Sequence, residues 1–368
     1  MTDRPEELVA LVGETRATIE GLRVEAGKVE EFARALYDDD PIYRDRAAAR
    51  ARGFSDTPAP LSFTRTGRFP RYRTGEAIDL GFRHEYTLHG AQAYEYERLP
   101  VVGDRLRGET TLVDVTEREG KRGGAMTFVE LETVYFDADD EQVLSERATV
   151  IETHGAVADD EESPTADAAS GESATVGDHD DDSTPDDRDR DRPLDDGVSP
   201  DTPNELDASA PNPARAGGLA VGDRAPKVTV GPLERQDFVR YAGASGDFNP
   251  IHYDEPYARR AGNPSVFGQG MFTAGVAAGA VADWLGIGNI ETFAVRFRSR
   301  VWPGDRIAAS AEVTDIGAPE RDGSEVSDGN DGTGVESRDG ERVECDLWVE
   351  RDGGETVLTG RAIALLEG

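Results

Sequence analysis

The chain has 368 residues, with 75 Asp and Glu against 40 Lys and Arg, a formal net charge of −35. Nucleic acid and anionic membrane surfaces are excluded as partners, because both would be repelled. The acid is spread along the whole chain and Lys occurs only at Lys28, Lys121 and Lys227, a pattern that suits solubility in high salt and suggests a halophile's protein.

The opening MTDRPEELVALVGE carries acid where a signal peptide needs base, and no stretch reaches the length of a membrane span. Cys345 stands alone, so no intrachain disulfide framework is possible. A soluble, cytoplasmic protein is expected. From Leu8 to Leu22 the spacing of Leu8, Leu11, Val12, Ile19 and Leu22 predicts a leading amphipathic helix.

Residues 1–155 then carry a run that repeats later in the chain. Asp40-Pro41-Ile42-Tyr43 lies over Asn249-Pro250-Ile251-His252, Gly53 over Gly262 and Phe63 over Phe272, all at an offset of 209. Gly103-Asp104-Arg105-Leu106 lies over Gly304-Asp305-Arg306-Ile307 at an offset of 201. The chain is read as two diverged copies of one module. In the first copy Asp38 falls on Asp247, but Tyr43 replaces His252 and Leu61 replaces Gly270. A phenol titrating near ~10 is a poor base at neutral pH, so this copy is read as having lost its site, with Asp38, Asp40 and Tyr43 left as turn residues.

After Phe63 the chain runs TRTGRFPRYRTGEA, where Gly67, Pro70 and the arginines exclude a long buried helix. Strands are expected over Thr127 to Phe136 and Val143 to Thr153, which are rich in β-branched and aromatic residues. Residues 156–216 are dense in Asp, Glu, Ser, Pro, Thr and Gly and cannot bury enough surface to order themselves. They form an acidic linker, and a flexible loop of the same composition is expected near 318–340.

Residues 217–368 form the second copy. Asn249-Pro250 forces a turn that brings Asp247 and His252 onto one short loop. Met271 to Leu285 is apolar almost all round, so it must be buried on every side. Fifteen residues are too few to span a bilayer, which leaves a helix wrapped by a sheet. Gly270 then stands at the helix start, where backbone N–H groups lack intrahelical partners and the dipole favours negative charge. Strands follow over Ala294 to Trp302, around Val343 to Val349, and over Thr356 to Leu366. Arg296, Arg298 and Arg300 alternate as one strand face would; a solvated face is preferred over a phosphate-binding one. No metal-ligand spacing, phosphate loop or nucleophile elbow occurs. His84, His89, His154 and His179 have no comparable setting.

The string GDFNPIH (Gly246 to His252), followed by GQGM (Gly268 to Met271), resembles the hydratase-2 motif of the MaoC-like dehydratases, and the whole resembles their double hot-dog form with a degenerate N-terminal copy. The resemblance implies an α+β tandem hot-dog, each half an antiparallel sheet around a central helix, making an intrachain pseudo-dimer with further homodimerisation open. It implies reversible hydration of 2-enoyl thioesters to (R)-3-hydroxyacyl thioesters by Asp247 and His252. Gly270 would serve as oxyanion donor, with Asn249 and Met271 beside it for substrate binding. No cofactor is implied: the coenzyme A or carrier-protein thioester is the substrate. Many relatives place His before the glycine where this chain has Gln269, a change that bears on specificity. A long acyl chain is expected in the volume opened by the first copy's missing helix. The alternatives are a mesaconyl-CoA-type hydratase using Arg65, Arg68, Arg71 or Arg73, a hot-dog thioesterase using Asp283, and a non-catalytic acyl-thioester module.

Overall fold

Period-2 alternation of apolar and polar residues puts most of both copies into antiparallel sheet. The computed structural model describes residues 4–120, 124–153, 218–318 and 340–366. All of the linker at 156–216 and all but the ends of the loop at 318–340 lie outside these residues, as do His154 and His179. The first copy contains α1 (Arg4–Val9), β1 (Thr15–Arg23), α2 (Ala26–Ala35), α3 (Arg46–Ala51), β2 (Thr87–Tyr96), β3 (Arg105–Gly120), β4 (Gly124–Phe136) and β5 (Gln142–Glu152). The second contains β6 (Val228–Val230), α4 (Arg235–Ser245), α5 (Glu255–Arg260), α6 (Gly270–Leu285), β7 (Ile290–Phe297), β8 (Ile307–Gly317), β9 (Glu341–Arg351) and β10 (Glu355–Leu366).

The ten strands form one sheet in the order β1-β3-β4-β5-β2-β7-β10-β9-β8-β6. That order reads the same from either end once each strand is replaced by its counterpart in the other copy. The two halves meet where β2 pairs antiparallel with β7, from Ala91 opposite Arg296 to Glu95 opposite Thr292. The fold is a double hot-dog, α+β, with the two copies as an intrachain pseudo-dimer. In β9, Val343, Cys345, Leu347 and Val349 are buried while their neighbours are not, as the alternation predicts.

Helix α6 buries 13 of its 16 residues against the sheet and against the first copy. Phe272 meets Tyr241, Phe238 and Tyr37 edge-on, with ring centroids 5.8, 6.3 and 6.4 Å apart. Gly275 has no side chain, and Leu36, just after α2, fills that place. Burying one such leucine is worth about 1.5–3 kcal/mol. The first copy has only two 3-10 turns in the corresponding place, Phe63–Arg68 and Pro70–Tyr72, because Gly67 and Pro70 interrupt any longer helix.

The repeat holds in detail. Both copies place a 3-10 turn at the offset of 209, Pro41–Tyr43 and Pro250–His252. Asp40 Oδ1 accepts from the Ile42 N–H at 2.9 Å, and Asn249 Oδ1 from the Ile251 N–H at 3.2 Å.

Two expectations are corrected. The leading helix is only α1; Thr15 to Arg23 is strand β1, paired with β3, because β-branched Thr15, Thr18 and Ile19 suit a pleated surface and the partner strand is at hand. The arginine alternation stops with β7 at Phe297, since the chain turns and the Arg298 N–H bonds to the Val357 carbonyl at 2.9 Å. Only Arg296 therefore lies on the strand.

Asp38 also does more than shape a turn. It is half-buried against α6, with its Oδ2 3.2 Å from where a Cβ on Gly279 would stand. Burial, then the neighbouring charge of Asp283, pushes its carboxyl well above the usual range, and burial with Asp40 does the same to Asp283. A carboxyl whose folded pKa is raised costs no stability below its unfolded value and progressively more as pH rises above about 4. Asp38→Asn is therefore expected to raise Tm relative to the wild type at pH 8 and to leave it nearly unchanged at pH 4. Thermal melts across that range at fixed salt check it, and a difference independent of pH contradicts it.

Candidate active site

The loop that carries Asp247 is set by the end of α4. Gly246 closes the helix with φ +80°, and a Cβ there would stand 3.1 Å from the Phe69 ring and backbone, so the position requires glycine twice over. Ser245 Oγ donates to the Tyr241 carbonyl at 2.7 Å and accepts from the Asp247 N–H at 3.2 Å. The 3-10 turn that follows delivers His252, 8% exposed, against the edge of Phe267.

His252 Nδ1 lies 2.8 Å from the Phe267 carbonyl. A carbonyl only accepts, so Nδ1 carries the proton and the neutral ring keeps its lone pair on Nε2. Burial holds the His252 pKa below its ordinary value, although Asp247 and the Phe267 carbonyl oppose that shift. Burial alone would raise the Asp247 carboxyl. Arg68, His252, Arg65 and His89 together outweigh it and hold the group at about 2. The main contact is direct: Arg68 Nη1 donates to Asp247 Oδ2 at 2.7 Å. Arg68 comes from the first copy, in the segment where that copy lacks its helix.

These groups line one cavity of about 820 Å³ that runs across the sheet from β1 to the end of β7. Asp247, Asn249, His252, Gly270 and Met271 all border it, so the structure brings these five expected site residues together. Gly270 is the first residue of α6, in the turn whose N–H groups have no intrahelical acceptor. Gln269 is different. Its Nε2 donates to the Phe238 carbonyl at 2.9 Å and it is 1% exposed; it anchors α6 to α4 and is not among the cavity's lining residues, so its side chain does not read the substrate directly.

Arg65, Arg68 and Arg73 line the cavity. Arg71 does not: it packs over the Tyr72 and Phe69 rings. Arg298 and Arg300 border it as well, which corrects their assignment to a solvated strand face. His89 was passed over and also lines the cavity, its ring 5.1 Å from that of Phe297. Burial, together with Arg65 and Arg68, pushes its pKa down to about 3, so it is neutral. The available signal was His89-Gly90 within a strand, which marks a bulge that re-aims a side chain; the β2–β5 register does shift there. Among the described residues no group of three His, Cys, Asp or Glu is placed to hold a metal, and no helix is long and apolar enough to cross a membrane.

Removing the Arg68 charge should free Asp247 to titrate at ordinary or higher values. In Arg68→Gln the Asp247 carboxyl is expected to rise from about 2 by roughly one to three units. Carbon-13 NMR titration of the labelled carboxylates checks it, and an unmoved titration contradicts it.

Comparison with known proteins agrees with this geometry. A model of the MaoC-like domain matches residues 220–336, and one of a FAS1-like dehydratase domain region matches residues 10–146. A UPF0336 protein of Streptomyces avermitilis is 31% identical over 114 residues, 30% of this chain and 75% of the relative. One from Mycolicibacterium paratuberculosis is 27% identical over 174 residues, 47% of this chain and 95% of the relative. Among solved structures, a MaoC-like dehydratase covers 98% of this chain and 100% of its own at TM-score 0.66 and 23% identity. A Mycobacterium tuberculosis protein described as a double hotdog fold covers 97% of each chain at TM-score 0.58 and 15% identity. Shared fold, matched domains at both ends of the chain and the UPF0336 relatives lead to one assignment: the chain belongs to the MaoC-like dehydratase family, in its double hot-dog form, which supports a hydratase or dehydratase role.

Proposed function

We propose that this protein catalyses reversible hydration of 2-enoyl-CoA to (R)-3-hydroxyacyl-CoA, or the reverse dehydration. The observation that carries the reading is the presence of an ionised carboxylate, a neutral imidazole and the first turn of a buried helix on the wall of one cavity. His252 Nε2 takes a proton from water as its oxygen adds to Cβ of the enoyl group, while Asp247 holds that water and balances the imidazolium. The His252 imidazolium then returns that proton to Cα, so both parts of the water end on the substrate and the base is regenerated. The Gly270 N–H meets the negative charge that develops on the thioester oxygen, a contribution of about 3–4 kcal/mol for a preorganised donor. Asn249 holds the loop through its bond to Ile251, and Met271 presents an apolar surface to the acyl group. The (R) stereochemistry and the coenzyme A carrier follow from the family resemblance.

The thioesterase alternative needs a carboxylate of the central helix at the cavity. Asp283 stands near the other end of α6, under the influence of Asp40 and Arg52, and is not among the lining residues.

Crotonyl-CoA hydration, followed as loss of enoyl absorbance beside a thiol-release assay, is the test. Asp247→Asn and His252→Gln are expected to lower kcat/KM by about 100- to 10,000-fold while keeping the fold. Because protonation of His252 removes the base and its pKa lies below about 6.5, the wild-type rate should be level through neutral pH and fall only on the acid side. Thiol release without hydration would select the thioesterase; neither signal would select the binding module.

A further inference from the structure

We infer that the acyl group this enzyme accepts carries its own carboxylate, which Arg65 binds. The inference rests on the hydratase reading above and names the substrate class of the same site.

The observation is a reversal of charge. A chain with 75 acidic and 40 basic residues lines its cavity with five arginines and two carboxylates. One of those carboxylates, Asp247, is already paired with Arg68 at 2.7 Å. The other, Glu146, accepts hydrogen bonds from Thr64 Oγ1 at 2.7 Å and from the Tyr135 hydroxyl at 3.1 Å. Its oxygens are thus met by neutral donors. Arg65, whose guanidinium is surrounded by protein and drawn on by Tyr94, Glu146 and Asp247, makes no hydrogen bond and no close ion pair among the described residues. A guanidinium with five donors in a fixed fork, held inside a cavity without an acceptor, is built for a planar anion.

The surrounding walls point the same way. On the first-copy side Thr18 Oγ1 bonds to Thr110 Oγ1 at 2.6 Å and Thr110 Oγ1 to Thr133 Oγ1 at 2.9 Å, and this belt borders the cavity together with Tyr135 and Glu146. A saturated acyl chain gains by entering apolar surroundings and loses where hydroxyls and charges must be desolvated beside it. The volume opened by the first copy's missing helix is lined by this belt and also by Ile78, Leu88, Leu131 and Ile151. The belt and Arg65 favour an acyl group with an anionic end over a wholly apolar chain.

Arg298 and Arg300 border the cavity from the second copy, after β7. There they suit the phosphates of coenzyme A, which leaves Arg65, on the first-copy side, for the acyl end.

The experiment compares mesaconyl-CoA and fumaryl-CoA with crotonyl-CoA in the full-length wild type, Arg65→Met and Glu146→Gln. The wild type is expected to prefer the carboxylated thioesters in kcat/KM. Arg65→Met should cost them about 100-fold more than it costs crotonyl-CoA. Glu146→Gln, which removes the opposing charge, should strengthen the preference. A wild-type preference for crotonyl-CoA overturns the inference. So does an equal loss on all three substrates in Arg65→Met, which would make Arg65 a contact to the carrier or to the fold. Calorimetric binding of succinyl-CoA against butyryl-CoA gives a readout free of turnover. Tighter binding of succinyl-CoA that Arg65→Met abolishes supports the inference even where no hydration is seen, an outcome that would sink the hydratase reading alone; equal binding of the two overturns the inference.

Discussion

The pairing of β2 with β7 is the constraint on which the rest of this molecule depends. It joins two five-stranded halves into one sheet and thereby lays the first copy's turns across the second copy's reactive loop. Three contacts follow from that apposition: Leu36 in the space left by Gly275, Phe69 against Gly246, and Arg68 on Asp247. Each joins a residue of one copy to a residue of the other. The two halves also share a single large hydrophobic core that includes Phe32, Phe63, Phe238 and Phe272, so neither can be displaced without exposing apolar surface of its neighbour.

Divergence between the copies divides the work. Tyr43 in place of His252 and the interrupted segment after Phe63 remove a base and a helix from the first half. In return that half contributes a guanidinium to the other half's carboxylate and a belt of threonines to its cavity. The small side chains of α6 let the first copy pack against it closely, with Asp38 reaching the helix at Gly279. One helix thus lies at the heart of both copies.

The site's electrostatics arise from opposing effects of similar size. Burial penalises the charged form of every ionisable group in the cavity. For His252 burial wins and the ring stays neutral; for Asp247 Arg68, His252, Arg65 and His89 together outweigh burial and the carboxyl stays ionised. A neutral base beside an ionised carboxylate at neutral pH is the arrangement that water activation needs, and a cation lent by the other half of the chain reinforces it.

Much of this was legible in the sequence, because its signals are local. An Asn-Pro step between Asp247 and His252, an all-round apolar run after Gly270, period-2 alternation in β9 and a constant offset of 209 each report backbone geometry within a few residues of themselves. They determined a duplicated module of antiparallel strands around an apolar helix and the short list of residues that meet at the cavity; the double hot-dog class came with the family resemblance. Local pattern failed where a partner decides: Thr15 to Arg23 carries helix-compatible spacing but becomes a strand because β3 lies alongside, and Gln269 turns to α4 rather than to the cavity. Only the tertiary structure could place Arg68 on Asp247, 179 residues away, show His89 at a bulge in the cavity wall, or bring Arg65 and the threonine belt to the first-copy side of the cavity. Those facts depend on which strands pair and how far the side chains then reach, and no spacing within one segment encodes a distance to another.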